Sequence, residues 1–498
     1  MSIYIYNSCL SLAVFLPILF GFFILIFGND SKAYYVKAIS LLIAIVCFLL
    51  TCYIYNFFDP SDINTQFEEN HKWIGSLDIN YHIGIDGISL LFLLLTSFIT
   101  VIVVLAGWES IRNRVSEYMA AFLILSGLMN GVFVSLDAIL FYVFFESTLI
   151  PMYIIIGVWG GYNRFYAAFK FFLYTLLGSL LMFIAFIYLH KISGSFDILI
   201  WQKIKISYTE QFLIFIAFMA AFAVKIPMWP FHTWLPDAHV EAPTGGSIIL
   251  AAIMLKLGAY GFLRLSLPIL PDASISLSGL MVTLSLIAII YIGFIAIVQD
   301  DMKKLVAYSS IAHMGFVTLG MFIFNIVGLE GAILQMISHG FISAAMFFSI
   351  GVLYDRAHSR AISDYSGLVS VMPRFIVFFV FFSMANCGLP ATSGFVGEFL
   401  VIIGSVEYSF PVAILAATSL ILSASYSLWM LKRIAFGKLR VNIDVNKDNS
   451  IDIDKREFFI LGILTLVVLF MGIYPKPFTD VINLPAKCLL EHLAITKL

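Results

Sequence analysis

The sequence predicts an all-α polytopic membrane protein with about fourteen transmembrane helices. Three observations carry that prediction. Of 498 residues, 61% are apolar and 12% charged, whereas a soluble domain carries about 25% charged residues and has no means of hiding so much apolar surface. The apolar residues fall in unbroken runs of about the 20 residues that a bilayer crossing needs. They do not form the alternating ten-residue strands of a membrane barrel, and helices and barrels are the two structures that satisfy their own backbone in lipid. The longest polar stretches, roughly 58–84, 191–209 and 437–457, are too short for a soluble domain.

Taken in order, the runs centre near 18, 46, 97, 126, 148, 178, 222, 255, 287, 314, 341, 390, 423 and 466. The first, roughly 10–27, lacks a basic leader and a small-residue cleavage site, so it reads as a retained span. If the loops alternate sides, one set holds Lys32, Lys37, Arg112, Arg114, Arg164, Lys170, Lys303, Lys304, Arg356, Arg360, Arg374 and the 431–457 loop with Lys447. The other holds only Lys72, Lys191, Lys203, Lys205, Arg264, Lys476, Lys487 and Lys497. The basic side faces the cytoplasm or matrix, which puts both termini on the periplasmic or intermembrane side. A net charge of −2 gives no electrostatic case for nucleic acid. The five cysteines (Cys9, Cys47, Cys52, Cys387 and Cys488) have no metal-ligand spacing and read as apolar fillers, so no metal site is expected.

That ledger leaves Lys225 and Lys256 inside apolar spans, the seventh and eighth, with Glu146 in the fifth and Glu398 in the twelfth. An ionisable residue at bilayer depth costs about 2.5–3.5 kcal/mol on insertion scales, so each needs a reason. One reason is a structural ion pair, such as Glu146 with Lys225, or a charge that snorkels to the interface. Lys256 has apolar turns on both sides and is badly placed to snorkel. The other reason is proton transfer: a buried lysine changes its hold on a proton when a nearby carboxylate moves or is neutralised. Acids at the two ends with lysines between them suit a relay.

The seventh span is interrupted at Lys225-Ile226-Pro227-Met228-Trp229-Pro230, where two prolines remove backbone donors. The twelfth has a matching interruption at Gly388-Leu389-Pro390, before Glu398. Five spans separate the breaks, which predicts two inverted five-helix repeats, 116–268 and 269–436. A three-helix segment (1–115) would precede them, and a loop, last helix and tail (437–498) would follow. Discontinuous helices 7 and 12 in such repeats mark ion sites near the midplane.

His313 and His339 lie in the tenth and eleventh spans, between Lys256 and Glu398, and are candidates to pass protons. A neutral, hydrogen-bonded imidazole is the plainer alternative for each. His232 and His239 flank the first break, where loop packing competes with a role. His71, His82, His358 and His492 read as surface or interfacial, and Asp137 and Asp237 as caps or anchors.

The stretch Phe222-Ala223-Val224-Lys225-Ile226-Pro227-Met228-Trp229-Pro230-Phe231-His232-Thr233-Trp234-Leu235-Pro236-Asp237-Ala238-His239 resembles the antiporter-like subunits of respiratory complex I and of multi-subunit sodium–proton antiporters. Ala242-Pro243-Thr244-Gly245-Gly246-Ser247, Leu255-Lys256-Leu257-Gly258 and Gly351-Val352-Leu353-Tyr354-Asp355-Arg356 are similar to the subunit M branch, subunit 4 in mitochondria. So is Glu398, where the L and N branches carry lysine. The resemblance implies a proton channel through Glu146, Lys225, Lys256, His313, His339 and Glu398, with His232 as a further candidate. It also implies that this chain has no cofactor of its own, with FMN, iron–sulfur clusters and quinone sites elsewhere in an NADH–quinone oxidoreductase. The implied neighbours are subunits L and N in a bacterial or mitochondrial inner membrane. The rival reading is a subunit of a multi-subunit cation/proton antiporter.

Overall fold

The computed structural model describes residues 8–440 and 452–497. Lys447, counted above among the loop cations, lies outside the described residues. The apolar runs fold as α1 (Cys9–Phe27), α2 (Ala33–Phe57), α3 (Gly87–Ser110), α4 (Val115–Val134), α5 (Ala138–Trp159) and α6 (Arg164–Ser193). Then come α7 (Tyr208–Lys225), α8 (Trp234–Glu241), α9 (Thr244–Ile269), α10 (Ser278–Ile297), α11 (Met302–Phe322) and α12 (Ile326–Ala357). The chain ends in α13 (Pro373–Asn386), α14 (Ser393–Tyr408), α15 (Phe410–Ala435), α16 (Lys455–Ile473) and α17 (Lys476–Ala494). Among the described residues, 13 helices are long and apolar enough to cross a bilayer. The protein is an all-α polytopic membrane protein.

The helix starts are written in short polar side chains. Asp86, Asp137, Asp301 and Asn325 accept hydrogen bonds from the first free backbone amides of α3, α5, α11 and α12. Ser207 with Glu210, and Asp454 with Glu457, form reciprocal capping boxes on α7 and α16. With their ends satisfied, the helices sort by depth. α9 and α12 are buried through the stretch that would cross the bilayer, and α11 nearly so. α1, α2, α6, α15 and α16 leave much of their apolar surface outward, as helices solvated by lipid do. α12 packs on α11 and α14, and on α9 where α9 widens into a π turn at Leu250–Met254.

Two elements were not foreseen. Within the polar stretch 58–84 lies an antiparallel hairpin, β1 (Gln66–Ile74) and β2 (Ile79–Ile85), with Asn70 opposite His82. Its signal was the alternation Ile79, Tyr81, Ile83, Ile85, a period of two too short to register among counts of long runs. The expected tail is the helix α17, which buries Val481, Ile482, Ala486, Leu489 and Leu493 on one side against α3 and α12.

The hairpin corrects one histidine assignment. His82 is buried, with Nδ1 3.1 Å from Asp197 and Nε2 2.8 Å from Glu68. It ties the hairpin to the loop after α6. Burial disfavours its imidazolium, but the bonds to Asp197 and Glu68 outweigh burial and hold its pKa above the ordinary value. Ser11 of α1 bonds to Glu69 of the same hairpin, and Lys497 bonds to Trp201 and Asp272, so both ends of the described chain sit on the hairpin face.

Candidate functional site

The interior of the bundle brings four of the named side chains into one connected group. α9 supplies Lys256, α12 His339, α11 His313 and α14 Glu398. Lys256 Nζ lies 2.7 Å from His339 Nδ1 and donates to the carbonyl of Ala251 at 2.6 Å. Ala251 belongs to the π turn that immediately precedes Lys256. A π turn displaces a carbonyl from the regular ladder, and this lysine takes it up. The His339 and His313 rings stand 5.6 Å apart between centroids. His313 Nδ1 is 2.6 Å from Glu398 Oε1. All four residues are buried.

Three of the four keep a free valence. His339 Nε2, His313 Nε2 and Glu398 Oε2 are buried without a hydrogen-bond partner among the described residues. Such atoms are expensive to leave unmade, and His313, His339 and Glu398 line a small cavity with Asn386. Water there would complete the bonds and join the imidazoles. Gly388, in the break before α14, sits at φ +74°, which glycine adopts freely and other residues rarely do.

The other named side chains sit differently. Glu146 is on α5 with Oε1 buried and unpartnered, and Lys225 ends α7. The two attract each other electrostatically, yet no direct ion pair joins them among the described residues. Lys225 Nζ instead stands 3.5 Å from the Thr148 hydroxyl and 4.5 Å from the centre of the Phe145 ring, a cation over an aromatic face. The expectation of a contact pair is therefore corrected to a spaced one, with Thr148 alongside. α7 comes close to α9 because residue 258 is glycine. A Cβ there would fall 2.9 Å from Lys225 Cβ and from the Phe222 carbonyl oxygen. His232 is buried with Nδ1 unpartnered, and none of the six residues above touches it. His239 stacks on Phe347 at 4.5 Å, with both nitrogens unpartnered.

Sequence reasoning missed Gln335 and misplaced Lys303. Gln335 Nε2 donates to Glu398 Oε1 at 3.1 Å and stands 3.5 Å from His313 Nδ1. Its signal was available: it lies one turn before His339 on the same face of α12. Lys303 was counted as a loop cation, but α11 begins at Met302 and turns it inward. It donates to the Ala242 carbonyl at 2.7 Å and approaches Ser247 Oγ at 3.4 Å. Lys170 likewise leaves the loop set: it lies within α6 and pairs with Asp237 at 2.7 Å. Arg264 also leaves its loop set, being buried in α9 and paired with Asp86 at 2.8 Å. Asp137 is a cap, as read.

Residues 135–423 match the family described as NADH:quinone oxidoreductase/Mrp antiporter, transmembrane region. The chain belongs to that family. Among the relatives of this NADH:quinone oxidoreductase/Mrp antiporter chain is NADH-quinone oxidoreductase subunit M of Rhodobacter capsulatus, 48% identical over 90% of the chain and 89% of the relative. NADH-ubiquinone oxidoreductase chain 4 of Marchantia polymorpha is 46% identical over 98% of both. A chain of respiratory complex I from Thermus thermophilus superposes with a TM-score of 0.89 at 29% identity, covering 97% of this chain and 99% of that one. A chain of the Mrp complex from Dietzia sp. shares the fold, with a TM-score of 0.85 at 19% identity over 97% and 98%.

Proposed function

We infer that this chain is the antiporter-like, proton-translocating membrane subunit of an NADH–quinone oxidoreductase, the counterpart of subunit M. NADH oxidation and quinone reduction take place on other chains, which carry FMN and iron–sulfur clusters, and this chain moves protons in response. The observation that carries the reading is the buried series Lys256–His339–His313–Glu398, with hydrogen-bond contact at both ends and two imidazoles between. Each member binds and releases a proton on a nitrogen or oxygen already aimed at its neighbour. Glu146 and Lys225 form the other half of the path, with Thr148 beside the lysine.

The helix boundaries support an arrangement in two inverted repeats, 116–268 and 269–436. A helix stops at Lys225 and another begins at Trp234; a helix stops at Asn386 and another begins at Ser393. Each pair reads as one broken span, and each break lies beside an ionisable residue of the series. With Lys170, Lys303 and Arg264 removed from the loop ledger, the basic excess still favours the side opposite the hairpin as cytoplasm or matrix. Both termini are then periplasmic or intermembrane. The neighbours are subunits L and N. A cation/proton antiporter subunit would share the fold, and Glu398 with Ala242–Ser247 favours the oxidoreductase.

The test is the assembled complex purified from its own membrane. Mass spectrometry should find redox subunits with the chain, and partners confined to an antiporter operon would overturn the assignment. Arginine keeps a positive charge at position 256 but effectively never deprotonates. Lys256→Arg should therefore assemble yet lower NADH-driven proton uptake into sealed vesicles by about 10-fold or more. Normal uptake would make Lys256 a structural charge.

A further inference from the structure

A second polar neighbourhood begins one helical turn beyond Lys256 on α9. α9 repeats a polar residue every fourth position from Lys256, through Tyr260 to Arg264, and a second π turn, Phe262–Ser266, surrounds the arginine. The Tyr260 hydroxyl is held from two sides: it donates to the Phe133 carbonyl at 2.8 Å and lies 2.9 Å from Ser89 Oγ. Arg264 Nη1 donates to Asp86 Oδ2 at 2.8 Å, and the other Asp86 oxygen accepts the Ser89 amide at 2.9 Å. Beyond the pair a cavity opens on the hairpin face, lined by Asp86, Arg264, Lys203 and His492.

A purely structural ion pair explains this poorly. Arg264 Nε and its second Nη are buried and make no regular hydrogen bond among the described residues, although the guanidinium also interacts with the Tyr260 hydroxyl, a costly state if packing alone placed it there. Buried donors beside a cavity are what water satisfies.

We propose that Tyr260, Ser89 and Asp86 form a branch by which Lys256 releases its proton to the hairpin face, with the Asp86–Arg264 pair as its gate. This rests on Lys256 being a proton carrier. The ammonium of Lys256 gives one proton to a water spanning the helical turn, and that water passes one to Tyr260 Oη. Tyr260 turns its hydroxyl from the Phe133 carbonyl to hand its own proton to Ser89 Oγ, and Ser89 passes one through a second water to the Asp86 carboxylate. Asp86 then loses it to water in the surface cavity. One proton moves and every intermediate group is restored. Arg264 keeps its charge throughout and is a positioning residue: paired, it keeps Asp86 from accepting, and parted, it frees it.

The experiment uses the assembled complex in sealed vesicles, scoring protons taken up per NADH oxidised and normalising to assembled complex. Tyr260→Phe keeps the ring and removes the hydroxyl; Asp86→Asn keeps the α3 cap and removes the titration. Each should lower proton uptake by about 3-fold or more at normal assembly. Because the steps are in series, the double variant should lose no more than the worse single one. Arg264→Lys, which keeps the pair, should stay within about 2-fold of the unmodified chain, whereas Arg264→Gln should not. Uptake unchanged in both Tyr260→Phe and Asp86→Asn overturns the branch. So do losses that multiply in the double variant and track reduced assembly, which mark a packing role. Lys256→Arg run alongside separates the two failures. If it pumps normally, the reading beneath this proposal falls; if it fails while Tyr260→Phe and Asp86→Asn pump normally, only the branch falls.

Discussion

The two halves of the membrane interior solve the same problem differently. Around α11, α12 and α14 the buried titratable side chains touch: His313 meets Glu398 at 2.6 Å, and Gln335 braces the same oxygen at 3.1 Å. Around α5 and α7 they do not: Lys225 rests on Thr148 and the Phe145 ring, and Glu146 keeps a bare oxygen. A hydrogen-bonded contact pair in low dielectric is held firmly, since parting it leaves two buried polar groups unsatisfied. A spaced pair is held weakly and responds to small movements of either helix. The tight half suits storage and the loose half suits switching.

Removing the titratable oxygen from each half is the strongest way to break that contrast. Glu398→Gln should reduce proton uptake per NADH by about 10-fold, because the amide still meets His313 but no longer binds and releases a proton. Glu398→Asp should keep appreciable uptake, since the carboxylate survives and water in the adjoining cavity spans the missing methylene. Normal pumping by Glu398→Gln would move the terminus of the series to His339 or to water. Glu146→Gln should also lower uptake and coupled quinone reduction, by about 3-fold. Full stoichiometry in that variant, with normal assembly, would remove Glu146 from the path.

Double-variant cycles sharpen the comparison with smaller effects. Thermal stability of the purified complex should show a coupling of about 2 kcal/mol for His313→Gln with Glu398→Gln. The cycle of Glu146→Gln with Lys225→Met should give only about 0.5 kcal/mol, because Thr148 and Phe145 hold the lysine. Equal couplings would mean the halves do not differ in kind.

The smallest expected effect lies outside the membrane. His82 is held above its ordinary pKa, so the stabilisation from its charged form is complete at acid pH and fades as pH rises through that raised value. Amide exchange in the hairpin 66–85 should therefore quicken as pH rises above about 6.5, and His82→Gln should flatten the profile. A hairpin whose exchange follows only the chemical pH trend would show that the clasp does not depend on the charge.

What the sequence determined by itself follows from a one-dimensional rule: in lipid, a helix must be long and apolar, and any ionisable residue within it is costly. Run lengths therefore gave the fold class, Asp137 read as a cap, and Glu146, Lys225, Lys256 and Glu398 stood out by depth. The same rule is silent on short alternation and on charges at span edges, so the hairpin, Lys303 and Arg264 were misread. Partnership needed three dimensions. Lys256 and His339 are 83 residues apart, His313 and Glu398 85, and Gln335 and Glu398 63. Which of them meet depends on how α9, α11, α12 and α14 cross, on the π turn that frees the Ala251 carbonyl, and on a glycine at 258 that lets two helices close. A sequence shows which side chains lipid cannot hold, and packing decides which neighbour takes each one in.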